Sequence, residues 1–76
     1  MEKARDINVM VKPGSIRPSV ESFGDNHFLV KIELIDHSKI NEEIPKLLAP
    51  KLGVPPGRIQ LVNGLTNNTK NFRIVF

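Results

Sequence analysis

A single stretch of this chain has an apolar stripe at helical spacing, and segments that alternate like β-strands lie on both sides of it. The stripe consists of Ile40, Ile44, Leu47, Leu48 and Leu52. These residues fall at i, i+4, i+7, i+8 and i+12, on one side of a helix. Because only one helix is predicted, it has to bury its stripe against a sheet formed by the flanking strands.

The predicted helix, residues 40–52, has residues typical of helix termini at both ends. We predict Asn41 as the N-cap, with the glutamates at 42–43 near the positive end of the helix dipole. Gly53 is suited to the position just after the last helical turn. These residues therefore indicate a start and a stop for this element.

Two prolines, Pro45 and Pro50, conflict with a regular helix. An interior proline removes a hydrogen bond and costs about 3 kcal/mol, which burial of the leucine stripe has to offset. We therefore expect a helix that begins late or is kinked near Pro50, and two short helical turns are the alternative.

Four segments have the two-residue alternation of half-buried strands, at 7–12, 28–35, 58–62 and 71–76. Residues 16–27 are predicted to be irregular, with Phe23 as a hydrophobic anchor, and a short extra strand around Val20 to Phe23 is left open. In the last strand, Phe72, Ile74 and Phe76 are predicted to point inward. The order β-β-α-β-β predicts an α+β two-layer sandwich, a mixed four-stranded sheet with the helix packed on one face.

Length and composition favour one small globular domain over residues 1–76. The chain has no cysteine, which excludes disulfides and cysteine zinc sites. No apolar run approaches the roughly 20 residues of a membrane helix, and the N-terminal segment lacks the apolar centre of a signal peptide. We expect a cytoplasmic monomer that does not associate with membranes.

The chain is mildly basic, with eleven lysines and arginines against eight acidic residues and a net charge of +3. A basic surface attracts anionic partners over long distances. The cations are spread along the chain rather than clustered, however, so a mixed solvated surface has more weight than a nucleic-acid patch.

Several short motifs occur in the order found in a family of small domains. They lie at 9–15, 39–41, 46–49, 52–55, 59–70 and 72–74. Together they resemble the YggU-like family of small domains of unknown function. The resemblance implies a mixed four-stranded sheet with a helix on one face, and it implies no activity.

The chain departs from that family pattern at several positions. Ser38 stands where the family has Gly, and Leu34-Ile35 replaces a Pro-Pro pair. Asn67-Asn68 stands where Ser-Arg is usual, and the C-terminal helix of many members has no counterpart among these 76 residues. The loss of the loop arginine weakens any site carried over from the family.

The stretch NGLTNNTKN, residues 63–71, joins the last two predicted strands. Asn and Gly tolerate the left-handed backbone of tight turns, which explains the stretch as a connector. The alternative is an anion site in which the backbone of Gly64 acts together with Thr66, Thr69 and Lys70. No helix follows the stretch, so the strongest form of a phosphate cradle is missing, and the turn has more weight.

A second candidate set combines Lys39 and Asn41 at the helix start with Lys70 and Arg73. A basic and amide-rich patch at one sheet edge would suit phosphate groups of nucleic acid. The alternative is an N-cap and ordinary solvated charge, because the chain has four Phe but no Tyr or Trp to interleave with such a patch.

Two further motifs are rejected as sites. Asp36-His37-Ser38 has the residue types of a catalytic triad, but triad members converge from separate elements and neighbours along a chain rarely do. His27 and His37 fall short of the three or four ligands of a zinc site. We therefore predict no metal, no cofactor and no catalytic residues.

These observations predict a small non-enzymatic cytoplasmic domain of unknown role that binds a macromolecular partner. A protein partner is expected to contact Leu29, Ile35 or Val62. The first alternative is a nucleic-acid or phosphate-binding module. The second alternative is a hydrolase or transferase, for which the sequence supplies no nucleophile and base pair.

Overall fold

A computed structural model describes residues 4–76, and its strands form one mixed sheet with a single long helix. The elements are β1 (Ala4–Lys12), β2 (Ser19–Ser22), β3 (His27–Lys31), α1 (His37–Leu52), a 3-10 turn (Pro56–Arg58), β4 (Ile59–Asn63) and β5 (Thr69–Val75). The sheet order is β2-β3-β1-β5-β4. Strands β1 and β3 are parallel, and the other neighbours are antiparallel. The predicted α+β class is confirmed.

The predicted number of four strands is wrong, because β2 adds a fifth strand at one edge. The short strand left open near Val20 exists, and Val20 lies opposite Val30 of β3 in antiparallel register. Its apolar side chain packs against the core. The alternation in residues 16–27 is too short to predict a strand with certainty, and pairing with β3 stabilises it.

The second predicted strand is wrong at its C-terminal end, since β3 ends at Lys31 rather than at residue 35. Its partner β1 ends at Lys12, where a turn begins. The chain after β3 then bonds to this turn, with Ile32 N donating to Lys12 O at 3.1 Å and Ser15 N donating to Ile32 O at 2.9 Å. The alternation in residues 32–35 therefore belongs to an extended connection.

Helix α1 begins four residues before the predicted N-cap. Asp36 is the N-cap, and its carboxylate accepts a hydrogen bond from Ser38 N at 3.0 Å. The prediction of Asn41 as N-cap is wrong, because Asn41 lies inside the second turn. A carboxylate at the N-cap satisfies a free backbone N–H and interacts with the positive end of the helix.

Pro45 and Pro50 both lie inside this continuous helix. The predicted late start and the alternative of two short helical turns are therefore wrong. Each proline leaves the carbonyl four residues earlier without its helical donor, and burial of the helix face offsets the loss. Gly53 ends the helix as predicted, with φ 70° and its N–H donating to Ala49 O at 2.9 Å.

The core lies between α1 and one face of the sheet. Its fully buried helix residues are Ile40, Ile44 and Leu48, which confirms the predicted stripe. The prediction that Phe76 points inward is wrong, and so is that of Phe23 as a hydrophobic anchor, since their exposed fractions are 55% and 60%. Within residues 4–76, no helix has the length and apolar character needed to cross a membrane.

Candidate binding site

Lys70, predicted to bind anions, is completely buried at the end of the molecule where α1 begins. Its Nζ donates to Gly64 O at 2.7 Å and to Leu65 O at 3.3 Å, and lies 3.3 Å from His37 Nδ1. Burial lowers the pKa of the Lys70 ammonium group below its ordinary value. The lysine thus ties the β4–β5 loop to the first turn of α1 and presents no charge at the surface.

Gly64 is required for this arrangement. It has φ 86°, and an added Cβ would lie 2.4 Å from Thr69 O and 2.9 Å from the Cα of Lys70. A side chain would therefore push the loop away from the start of β5 and away from the Lys70 ammonium group. The glycine serves close backbone packing in the loop.

Asn41 completes the contact between α1 and this loop. Its Nδ2 donates to Leu65 O at 2.9 Å, the same carbonyl that Lys70 contacts. Its Oδ1 is enclosed and accepts no hydrogen bond from residues 4–76. A shallow depression beside it is lined by Asn41, Thr66, Ile35 and Leu65 among others, and the two apolar side chains are 76% and 66% exposed.

The Asp36-His37-Ser38 sequence caps the helix, and its side chains do not form a relay. Ser38 donates to the Asp36 carboxylate through both its N–H and its hydroxyl, each at 3.0 Å. These two hydrogen bonds, the backbone one first, lower the pKa of Asp36. His37 Nδ1 faces the Lys70 ammonium group instead. The serine hydroxyl therefore has no imidazole base in this motif.

We call the loop, Lys70 and the first two turns of α1 the α1 end. Of the predicted site residues, Asn41, Gly64, Thr66 and Lys70 come together there. Lys39 is exposed in the first turn of α1 but does not line the depression. Thr69 and Arg73 alternate with Lys70 along β5, so they lie on the opposite face of the sheet.

The sheet face away from α1, which we call the open face, has no helix packed on it among the described residues. Arg73 lies there in an ion pair with Asp6, with Nε 2.8 Å from Oδ1. The hydrogen bond from Arg73 lowers the pKa of Asp6. The predicted set of Lys39, Asn41, Lys70 and Arg73 is thus divided between two faces of the molecule.

A polar and aromatic row crosses the middle of the open face. Strand register places His27 beside Asn8 and Asn8 beside Asn71. Phe23 continues the row beyond β3, because its N–H donates to His27 O at 2.8 Å. Asn8 Nδ2 lies 3.5 Å from His27 Nδ1. We call these four residues the central row, and they line one shared depression.

The rows on either side of the central row add an ion pair and apolar side chains to the open face. One side has the Asp6–Arg73 pair. The other has Met10, which is 54% exposed, between Leu29 and Thr69. Leu29 itself is buried, whereas Val62, also predicted as a contact residue, is half exposed.

Lys12 and Lys31 stand side by side at the next position of the open face. They are partners in the parallel register of β1 and β3, and each alternates with a buried valine that points to the core. Neither forms an ion pair with a carboxylate of residues 4–76. Adjacent like charges on a sheet are destabilising, so this pair is a positive site without a built-in counter-charge.

The central row could not be predicted from the sequence because its residues come from four separate segments. The alternation of the first predicted strand already places Asn8 and Lys12 on its outward face. The alternation of the last predicted strand does the same for Asn71. The strand register that brings them together depends on parallel pairing of β1 with β3, for which the sequence has no local signal. The burial of Lys70 could have been predicted, because Lys70 lies two residues before Phe72 and four before Ile74, on the inward face of the same strand.

No protein-family model matches this chain. The resemblance to the YggU-like family therefore rests on the short motifs alone and stays a prediction.

Proposed function

We propose that this chain is a non-enzymatic, cytoplasmic, monomeric domain that binds a macromolecular partner through the open face of its sheet. The observation that carries the proposal is the central row, in which Phe23, His27, Asn8 and Asn71 cross four neighbouring chain segments. Two rings and two amides on one surface offer both stacking and hydrogen bonds to a partner.

The shape of this surface supports a macromolecule over a small ligand. The central row is open to solvent and runs across the strands, and neighbouring rows lie about 7 Å apart along them. Small-molecule sites are usually enclosed clefts that bury most of their ligand. An extended partner lying along or across the strands contacts several rows at once.

The α1 end supports binding less well. Its amide, its buried lysine and its helix N-terminus are used for contacts within the chain. We therefore propose that the stretch NGLTNNTKN is a structural turn, in which Lys70 and Gly64 hold the loop in place. The internal hydrogen bonds of Ser38 and His37 likewise support a binding role over hydrolase or transferase chemistry.

Site-specific photo-crosslinking tests the proposed function. A photoreactive amino acid replaces Met10 on the open face or, as the control, Lys46 on the exposed side of α1. Irradiation in cells of the source organism is expected to yield discrete adducts from position 10 and none of the same size from position 46. Identical adduct patterns at the two positions, or none at either, would contradict the proposal.

A further inference from the structure

We infer that the partner of the open face is single-stranded nucleic acid, an inference that rests on the proposed function. The central row supplies what unpaired bases require. Phe23 and His27 are adjacent rings on one surface, and bases stack on such rings without regard to sequence. Asn8 and Asn71 lie next to them and present amide donors and acceptors to base edges.

The lysine pair supplies the contact to the backbone. Lys12 and Lys31 are adjacent on the same face and have no carboxylate partner among residues 4–76. A phosphate between them relieves their mutual repulsion and neutralises both charges. The pair lies two rows, or about 13 Å along the strands, from the central row. A strand of a few nucleotides reaches from one to the other.

The charge of the open face favours this partner over a protein. Among residues 4–76, the cations on this face are Lys12, Lys31 and Arg73, and the acids are Asp6 and Glu21. Since Asp6 is paired with Arg73, Glu21 near the β2 edge is the acid that has no ion pair among these described residues. Protein interfaces are depleted in lysine, whereas this face presents two adjacent lysines beside its amides.

Fluorescence anisotropy of labelled oligonucleotides about 12 nucleotides long tests the inference. The probes are oligo(A), oligo(U) and oligo(dT) single strands and a DNA duplex of the same length. We expect saturable binding of single strands and at least about fivefold weaker binding of the duplex, whose bases cannot stack on Phe23. Comparison of the affinities for the RNA and DNA single strands shows whether the open face prefers ribose or deoxyribose.

The salt dependence reports the number of phosphate contacts. Two neutralised phosphates predict an affinity loss of about sevenfold between about 50 and 200 mM salt. The double variant Lys12→Gln/Lys31→Gln is expected to bind about tenfold more weakly at low salt and to lose most of this salt dependence. Lys46→Gln/Lys51→Gln on α1 is the control, since it removes the same charge from the other side of the molecule.

Phe23 provides a second, charge-independent test. Phe23→Ala is expected to weaken single-strand binding by about fivefold or more, and Ile16→Ala, which truncates another highly exposed apolar residue, leaves it unchanged. Absence of saturable binding to every single strand overturns the inference, and so does an equal loss in the two lysine variants.

Crosslinking distinguishes failure of this inference from failure of the proposed function. Nuclease-sensitive adducts at position 10 support nucleic acid. If oligonucleotides do not bind while position 10 yields adducts that only protease removes, the open face is a protein interface. In that case the proposed function stands and the nucleic-acid inference is wrong.

Discussion

Asn41 and Lys70 at the α1 end donate hydrogen bonds to carbonyls of the β4–β5 loop, whereas the side chains of Asn8 and Lys12 are exposed on the open face. The residue types are the same in the two regions. The two regions differ because alternation along a strand turns each side chain either to the core or to the open face. In addition, the β4–β5 loop covers the α1 end. An amide or a lysine in a sequence therefore indicates a binding site only once its face is known.

The comparison predicts that changes at the α1 end affect stability and that changes on the open face affect binding. The largest expected effect is that of Gly64→Ala. The added Cβ meets the backbone at Thr69 O in a conformation with positive φ. We expect a loss of about 3 kcal/mol in the free energy of unfolding, measured by urea denaturation.

Gly57→Ala is the matched control for this substitution. An added Cβ at Gly57 meets no atom within 4 Å, so its stability should stay within about 0.5 kcal/mol of the parent. Equal effects of the two variants would contradict the tight packing of the β4–β5 loop.

The next largest effect is expected for Lys70→Met. Methionine retains much of the buried volume but leaves the carbonyls of Gly64 and Leu65 without the ammonium donor. We expect a loss of about 2 kcal/mol, because hydrogen bonds from a charged donor contribute about 1.5–3 kcal/mol and these carbonyls keep only the weaker neutral donors Asn67 N and Asn41 Nδ2. Lys12→Met, on the open face, should change thermal stability little, and a larger loss there would reverse the proposed roles of the two regions.

The N-cap gives a smaller effect that depends on pH. Hydrogen bonds from Ser38 hold the pKa of Asp36 below its ordinary value in the folded state. Its contribution is therefore complete above the unfolded pKa of about 3.9 and is lost as pH falls through the lower folded pKa.

Asp36→Ala should accordingly lower the urea midpoint at neutral pH, and its difference from the parent should disappear in strong acid. Asp25→Ala in the β2–β3 turn is the control and should show a smaller difference at neutral pH. A difference for Asp36→Ala that grows with acidity would exclude the capping carboxylate as its cause.

The smallest effect on stability is expected for Asn8→Ala/Asn71→Ala. The Asn8 side chain is exposed, and its contact with His27 is long, at 3.5 Å. We expect a change within about 0.5 kcal/mol in thermal unfolding together with weaker binding of single strands. A marked loss of stability would show that the central row is a structural network.

The two-residue alternation of the strands and the helical spacing of the apolar stripe predicted much of the fold. The helix stripe and the stop at Gly53 follow from local patterns, and they are confirmed. The N-cap was misplaced because both Asp36 and Asn41 suit that position, and only tertiary contacts decide how far a helix extends. The fifth strand was left open in the sequence analysis because its four residues carry too little alternation.

The candidate site was harder to predict than the fold. Lys39, Asn41, Lys70 and Arg73 were grouped by chemistry and expected position, but alternation along β5 sends Lys70 and Arg73 to opposite faces. The central row forms only through the parallel pairing of β1 and β3 and the turn that brings Phe23 beside His27. The pairing of strands that are distant in the sequence cannot be predicted from the alternation within each strand.

Two-dimensional amide NMR of the labelled protein, titrated with oligo(U) at low salt, tests the central claim most directly. We predict shifts concentrated at Asn8, Met10, Lys12, His27 and Lys31 that fade as salt is added. The peaks of residues 36–41 and 63–66 should stay in place. Shifts centred on those two segments instead, with the open face unchanged, would contradict the assignment of binding to the open face.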